Sequence, residues 1–178
     1  MRESGILMHI TSLPGPYGIG TMGKQAFAFV DFLKAAGQTC WQILPLTPTG
    51  YGDSPYQSCS TYAGNPYLID LDQLVEEGLL HKEELDSICW GSREDKVDFG
   101  IQYNNKLKVL RLAYERFVAG GEFEDFCRAH SSWLPDFALF MALKGKLGGE
   151  PWYRWEHKLK FRDPGAIWQA RQELGEDI

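Results

Sequence analysis

Residues 5–13, GILMHITSL, and residues 39–46, TCWQILPL, decide the fold. Each is a short apolar run punctuated by proline, Pro14 and Pro16 after the first, Pro45 and Pro48 at the end of the second. That pattern suits a buried strand running into an irregular loop. Between the two runs, Ala26, Phe29, Val30, Leu33 and Ala36 recur at helical spacing on one face, and Gly37 stands where such a helix would stop. Strand, helix and strand in this order predict a βαβ unit with parallel strands and hence an α/β fold.

Further along, the character changes. A third, short strand is expected at Tyr67 to Leu71, and helical periodicity takes over from Asp72 to Gly149. The clearest helix there has Asp98 as N-cap, Tyr103, Leu107, Leu110, Tyr114 and Phe117 on its inner face, and Gly120-Gly121 as its stop. Another starts near Pro135-Asp136, buries Phe137, Phe140 and Met141, and stops at Gly148-Gly149. A last one opens at Asp163-Pro164 with Ile167, Ala170 and Leu174 inward. The expected organisation is a first βαβ unit with its loop over 1–71, a mainly helical insertion over 72–162, and a helix over 163–178 leading toward a further strand. So few strands cannot close a parallel barrel, and the expectation is a truncated chain.

The 44% apolar and 24% charged content suits a packed core and argues against disorder. A net charge of −6 with no basic stripe argues against nucleic acid as a partner. The N-terminus has no signal-peptide pattern, and no apolar window is long enough to span a membrane. Cys40, Cys59, Cys89 and Cys127 show neither C-x-x-C pairing nor a histidine at ligand spacing. They are expected to be free, mostly buried thiols of a cytoplasmic protein, with no metal site.

The chemistry concentrates in residues 47–67, TPTGYGDSPYQSCSTYAGNPY. In a βα barrel this loop follows the second strand at the carboxyl end, the face that carries active sites. Tyrosine rings that match the C–H faces of sugars, and short polar groups that match hydroxyls, occur together here; Tyr51, Tyr56, Ser54 and Gln57 are the candidates. The same tyrosines can equally fold the loop back onto the barrel rim, and both readings stand on composition.

The runs SGILMHITSLPGPYGIG (4–20), AGQTCWQILPLTPTGYGDSPYQS (36–58) and AGNPYLIDL (63–71) resemble the opening motifs of amylomaltases and plant disproportionating enzymes. These are the 4-α-glucanotransferases of the amylase clan. WLPDFALFMALKGKLGGEPWYRW (133–155) and Arg162-Asp163-Pro164 are similar to the family in the same order. The resemblance implies the N-terminal part of a (β/α)8 TIM barrel with a helical insertion after strand 2. It also implies transfer of α-1,4-glucan segments between malto-oligosaccharides by a retaining double displacement, with no cofactor. By the same resemblance Tyr56 lines the subsite on the non-reducing side of the scissile bond, Ser54 is a neighbouring sugar contact and Tyr51 belongs to a secondary glucan site. The family's catalytic Asp, Glu and third carboxylate follow later strands, and their motifs are not found in residues 1–178. Phe99 stands near where relatives often carry tyrosine, which weakens the transfer of a further secondary-site contact. The competing readings are a non-catalytic carbohydrate-binding or scaffold protein and a related amylase-clan hydrolase.

Other residues have simpler explanations. Asp53 before Ser54-Pro55 suits a turn, and Ser54 lacks the G-x-S-x-G context of a nucleophile. Asp70 and Asp72 form the D-x-D pair of metal-dependent glycosyltransferases, yet closing an extended segment and capping a helix accounts for both. His9 is expected to be a hydrogen-bonded core histidine, while His81, His130 and His157 sit in polar surroundings and suggest nothing specific. Trp133, Trp152, Tyr153 and Trp155 are either a sugar platform or a staple between helices, the staple being the reading favoured here.

Overall fold

The structure, a computed structural model, describes every residue except Met1, Tyr51 and Glu94. The chain divides into two compact units, residues 1–118 and 119–178. The division falls inside the helical stretch expected over 72–162, so its first part packs with the βαβ segment.

In the first unit, β1 (Gly5–Leu7) and β2 (Cys40–Gln42) pair in parallel, with Gly5 opposite Cys40 and Leu7 opposite Gln42. α1 (Lys24–Ala35) connects them, and Gly37, at φ 70°, ends it in the left-handed conformation that glycine adopts without penalty. Both strands are shorter than their apolar runs. Ile10 and Leu13 are buried, but in a 3-10 turn over Ile10–Ser12 rather than in a strand. Apolar content alone does not separate a buried strand from a buried turn. On α1, Leu33 is buried and Ala26 and Phe29 pack against Ile10, Leu13 and Leu68, whereas Val30 and Ala36 lie exposed.

The expected third strand at Tyr67–Leu71 is absent. Asn65 accepts the Tyr67 amide at 3.0 Å and Pro66 presets φ, so the chain makes a 3-10 turn over Pro66–Leu68 and enters α2 (Leu71–Glu76) directly. α3 (Lys82–Asp86) and α4 (Phe99–Arg116) complete the unit, and Asp98 caps α4 by accepting the Ile101 amide at 3.0 Å. The buried face of α4 is not the aromatic one. Tyr103 and Tyr114 are 64% and 55% exposed, and the helix instead buries Gln102, Lys106, Val109 and Ala113. Two polar side chains win the inner face because each finds a backbone carbonyl there: Gln102 Nε2 donates to Tyr17 O at 2.7 Å, and Lys106 Nζ to Tyr67 O at 2.6 Å. Around them, Tyr17, Leu71, Leu80, Leu85, Trp90 and Val109 form the core.

The second unit holds α5 (Gly121–Ala129), α6 (Leu134–Lys146), α7 (His157–Lys160) and α8 (Pro164–Glu173). α6 ends in Gly148 and Gly149, at φ 64° and 81°, and Asp163 caps α8 through the Ala166 amide at 3.0 Å. Leu139, Ala142, Leu143, Trp155, Ala170 and Leu174 make the core, with Phe140 and Ile167 packed against it. Met141, expected inside, is exposed. Trp155 staples the unit, its ring 5.4 Å from Phe140, while Trp152 and Tyr153 stay exposed. The four cysteines are free as expected, yet Cys40, Cys59 and Cys89 are exposed and Cys127 is half-buried. Among the described residues no helix is long and apolar enough to cross a membrane, and no cluster of His, Cys, Asp or Glu could hold a metal ion.

Two expectations follow. Arg116 bonds both carboxylate oxygens of Glu84, at 2.8 and 2.5 Å. That pairing, helped by the His81 amide, lowers the Glu84 pKa to about 2. The folded value lies below the unfolded one, so the stabilisation is complete above about pH 4.5 and is lost as the pH falls toward 2. Urea denaturation of wild type and Glu84→Gln should therefore show the largest gap near neutral pH and a shrinking gap in acid; a constant gap would contradict this pairing.

Gly23 gives the second. A Cβ there would stand 1.6 Å from Asp70 Oδ2. Gly23→Ala should cost about 2 kcal/mol by displacing Asp70 from its hydrogen bonds, read as a lowered urea midpoint at unchanged slope.

Candidate functional site

The loop after β2 is a clamped hairpin. Thr49 and Ser58 form an antiparallel bridge, and the Gly50 amide donates to Gln57 O at 3.0 Å. At the tip the chain reverses through Gly52 and Asp53, at φ 93° and 55°, and the Asp53 amide donates to Gly50 O at 3.2 Å. Aspartate tolerates the left-handed region better than most residues, so Asp53 serves the turn through its backbone. Ser54 O then accepts the Gln57 amide at 3.0 Å, and Ser54 Oγ lies 3.4 Å from the Tyr56 amide.

This turn brings three of the four candidates together, Ser54, Tyr56 and Gln57. Ser54 is half-buried at its base, and the Tyr56 ring is 72% exposed at its tip. Tyr51 lies outside the described residues. Within residues 1–178 the Tyr56 side chain is therefore largely open to water. Tyr62 is similarly exposed, and the Ser60 hydroxyl accepts the amides of Tyr62 and Ala63 at 3.1 and 3.0 Å, shaping the return limb.

The limbs close where the Asn65 amide donates to Leu46 O at 2.8 Å. Beyond that point Asp70 does two jobs: Oδ2 accepts the Thr21 hydroxyl at 2.6 Å and Oδ1 accepts the Gln73 amide at 3.1 Å. Asp72 instead accepts from Tyr17 OH and from Lys82 Nζ. The two acids thus face different partners, and the D-x-D pair is a capping and tethering device. Lys106 was missed by sequence reasoning. Its amine is fully buried, and desolvation lowers its pKa to about 8, with the charge of Asp70 acting in the opposite sense. No local signal singles it out, because α4 also carries Asn104, Asn105, Lys108 and Arg111.

His9 follows β1 directly, half-buried, and burial lowers its pKa. Its Nδ1 has no hydrogen-bond partner among the described residues, so the expectation of a bonded core histidine fails. A cleft of about 730 Å³ opens between the loop after β1 and residues 90–97, lined by the hydroxyls of Thr11, Ser12 and Ser92 and by Arg93 and Lys96. Trp90 in its wall is buried, so the cleft offers no open ring.

Against known proteins, the family model described as 4-alpha-glucanotransferase, glycoside hydrolase family 77, matches residues 8–178. The chain is 48% identical over 173 residues to a 4-alpha-glucanotransferase of Clostridium butyricum, covering 96% of this chain and 36% of the relative. It is 46% identical over 183 residues to that of Thermus thermophilus, covering 99% and 36%. The amylomaltase from Streptococcus agalactiae, solved in complex with acarbose, superposes with a TM-score of 0.93 at 43% identity, over 99% of this chain and 37% of that one. A match of this extent in sequence and backbone shows that the chain, spanning about 36% of the length of these curated relatives, belongs to the 4-alpha-glucanotransferase family, glycoside hydrolase family 77.

Proposed function

We propose that these residues form the donor-binding flank of a 4-α-glucanotransferase, which moves α-1,4-glucan segments between malto-oligosaccharides in the cytoplasm without a cofactor. The observation that carries this is the Tyr56 ring, exposed on a turn whose hydrogen bonds hold it away from the core. An aromatic face held in water presents an apolar surface that a glucosyl ring can cover, and the Ser54 hydroxyl at the base of the same turn supplies a donor and acceptor for the sugar's hydroxyls. Tyr51, in the same GYGDSPYQS run, is assigned to a secondary glucan contact.

In this reading β1, α1 and β2 are the first βαβ unit of a (β/α)8 barrel within 1–71, the helical stretch 72–162 is an insertion after strand 2, and 163–178 leads to the next strand. The loop then stands at the carboxyl end of the strands, where barrel enzymes bind substrate. Chemistry is a retaining double displacement. An aspartate outside residues 1–178 attacks the anomeric carbon, a glutamate protonates the leaving sugar and then deprotonates the incoming 4-hydroxyl, and a third carboxylate steadies the charge. What this chain contributes is binding, so its substitutions act on affinity and on the fate of the glycosyl intermediate rather than on proton transfer.

The test uses the full-length enzyme and maltotriose. Wild type should yield glucose together with longer oligosaccharides, and Tyr56→Ala should lower kcat/KM by about tenfold, equivalent to roughly 1.4 kcal/mol of lost binding. Products limited to hydrolysis would make the parent an amylase-clan hydrolase, and binding without any turnover would make it a non-catalytic carbohydrate-binding protein.

A further inference from the structure

The Lys106 amine sits in a place where a lysine is expensive. Burying an ammonium costs several kcal/mol unless its partners repay it, and a methionine of similar length would fill the same space without that cost. Lys106 is nevertheless fully buried on α4, with Nζ 2.6 Å from Tyr67 O. The groups facing it come from the segment that ends the tyrosine loop. Tyr67 belongs to the 3-10 turn over Pro66–Leu68, and the charge of Asp70, two residues beyond that turn, acts favourably on the ammonium.

The backbone explains why an amine is needed. In the turn, the Leu68 amide donates to Asn65 O at 3.0 Å and the Ile69 amide to Pro66 O at 3.2 Å. The pattern stops there, because Ile69 adopts an extended conformation at φ −65°, ψ 130°. Tyr67 O is thus the first carbonyl past the end of the turn's own ladder, and Lys106 Nζ supplies the donor that the next amide would have given. The neighbouring bonds depend on the same geometry: Asn65 closes the loop onto Leu46 O, and the Met22 amide donates to Leu68 O at 2.9 Å.

We propose that Lys106 is a positioning residue for the sugar-contacting loop: its buried amine, bonded to the Tyr67 carbonyl, fixes the point where residues 47–65 rejoin the fold and thereby sets where the Tyr56 ring stands. This rests on the reading of Tyr56 as a sugar contact. Lys106 itself touches no substrate. Removing its amine leaves a buried carbonyl without its donor, and the turn relieves this by rotating toward water, which carries the Asn65–Leu46 closure and the hairpin with it.

The experiment uses the full-length enzyme with three substitutions. Lys106→Met removes the amine at similar volume, Lys106→Gln keeps an N–H donor on a shorter stem and serves if the first variant does not fold, and Val109→Ala trims the buried core one turn along the same helix. Below the melting transition of all variants, Lys106→Met should raise the KM for maltotriose by about tenfold with a smaller change in kcat, and Lys106→Gln by less, since a bond to a charged donor exceeds one to a neutral donor. Val109→Ala should lower Tm and leave KM unchanged. Amide exchange at Gln57 and Asn65 should accelerate in the Lys106 variants only. Equal KM and exchange in the Lys106 and Val109 variants would overturn the proposal by showing a general stability effect. If Tyr56→Ala leaves KM intact while exchange still separates Lys106 from Val109, the clamp stands and the sugar reading of Tyr56 falls.

Discussion

The structure depends on how a long irregular loop is returned to the fold at a fixed place. Eighteen or so residues without regular structure lose little entropy penalty by being shorter, since closure cost grows slowly with length. What must be supplied is a set of bonds at the base strong enough to define the ends. Here they converge on seven residues: Leu46 and Asn65 close the limbs, Lys106 holds Tyr67, and Thr21 and Gly23 hold and admit Asp70. The βαβ segment provides one side of this knot and α4 the other. Once it is formed, the hairpin above it needs only its own turn bonds to hold a side chain outward.

The distribution of polar groups follows the same logic. Buried polarity in the first unit is concentrated where the backbone leaves a carbonyl without an amide, at Tyr17 for Gln102 and at Tyr67 for Lys106. Surface charge is used differently. Lys24 with Glu76, and Lys146 with Glu173, pair in the open, where such contacts contribute little. The pair between Arg116 and Glu84 does more, because Glu84 also accepts the His81 amide at the start of α3, and the guanidinium reaches Leu79 O at 3.1 Å. One ion pair thereby joins three segments of chain.

Much of this was legible in the residues. The βαβ unit, the caps at Asp98 and Asp163, the glycine stops after α1 and α6, and the turn at GYGDSP all follow from local chemistry, in which a side chain answers to neighbours a few positions away. The GYGDSPYQS run also carried enough identity to place the chain in its family. What was not legible depends on distant partners. Nothing near Lys106 in sequence announces that Tyr67 O, thirty-nine residues back, is short of a donor. The aromatic face of α4 outscores its polar one on any hydrophobic count, and only the location of two bare carbonyls reverses the choice. Likewise Tyr67 to Leu71 reads as a strand by composition, and the Asn65 side chain, by bonding ahead of it, converts it to a turn. Pairing of His9 failed for the same reason, since a ring nitrogen's partner is a matter of tertiary approach.

The two polar teeth on α4 have a mechanical result. A helix that hides an unbroken stripe of methyl groups can roll about its own axis with small loss, because dispersion has no direction. α4 cannot, since Gln102 and Lys106, one turn apart on the same side, must each meet a specific carbonyl at hydrogen-bond length. Its azimuth is keyed, and so is the bearing of the exposed Tyr103, Leu107 and Tyr114 on the adjoining flank. The helix behaves as an indexed shaft rather than a roller.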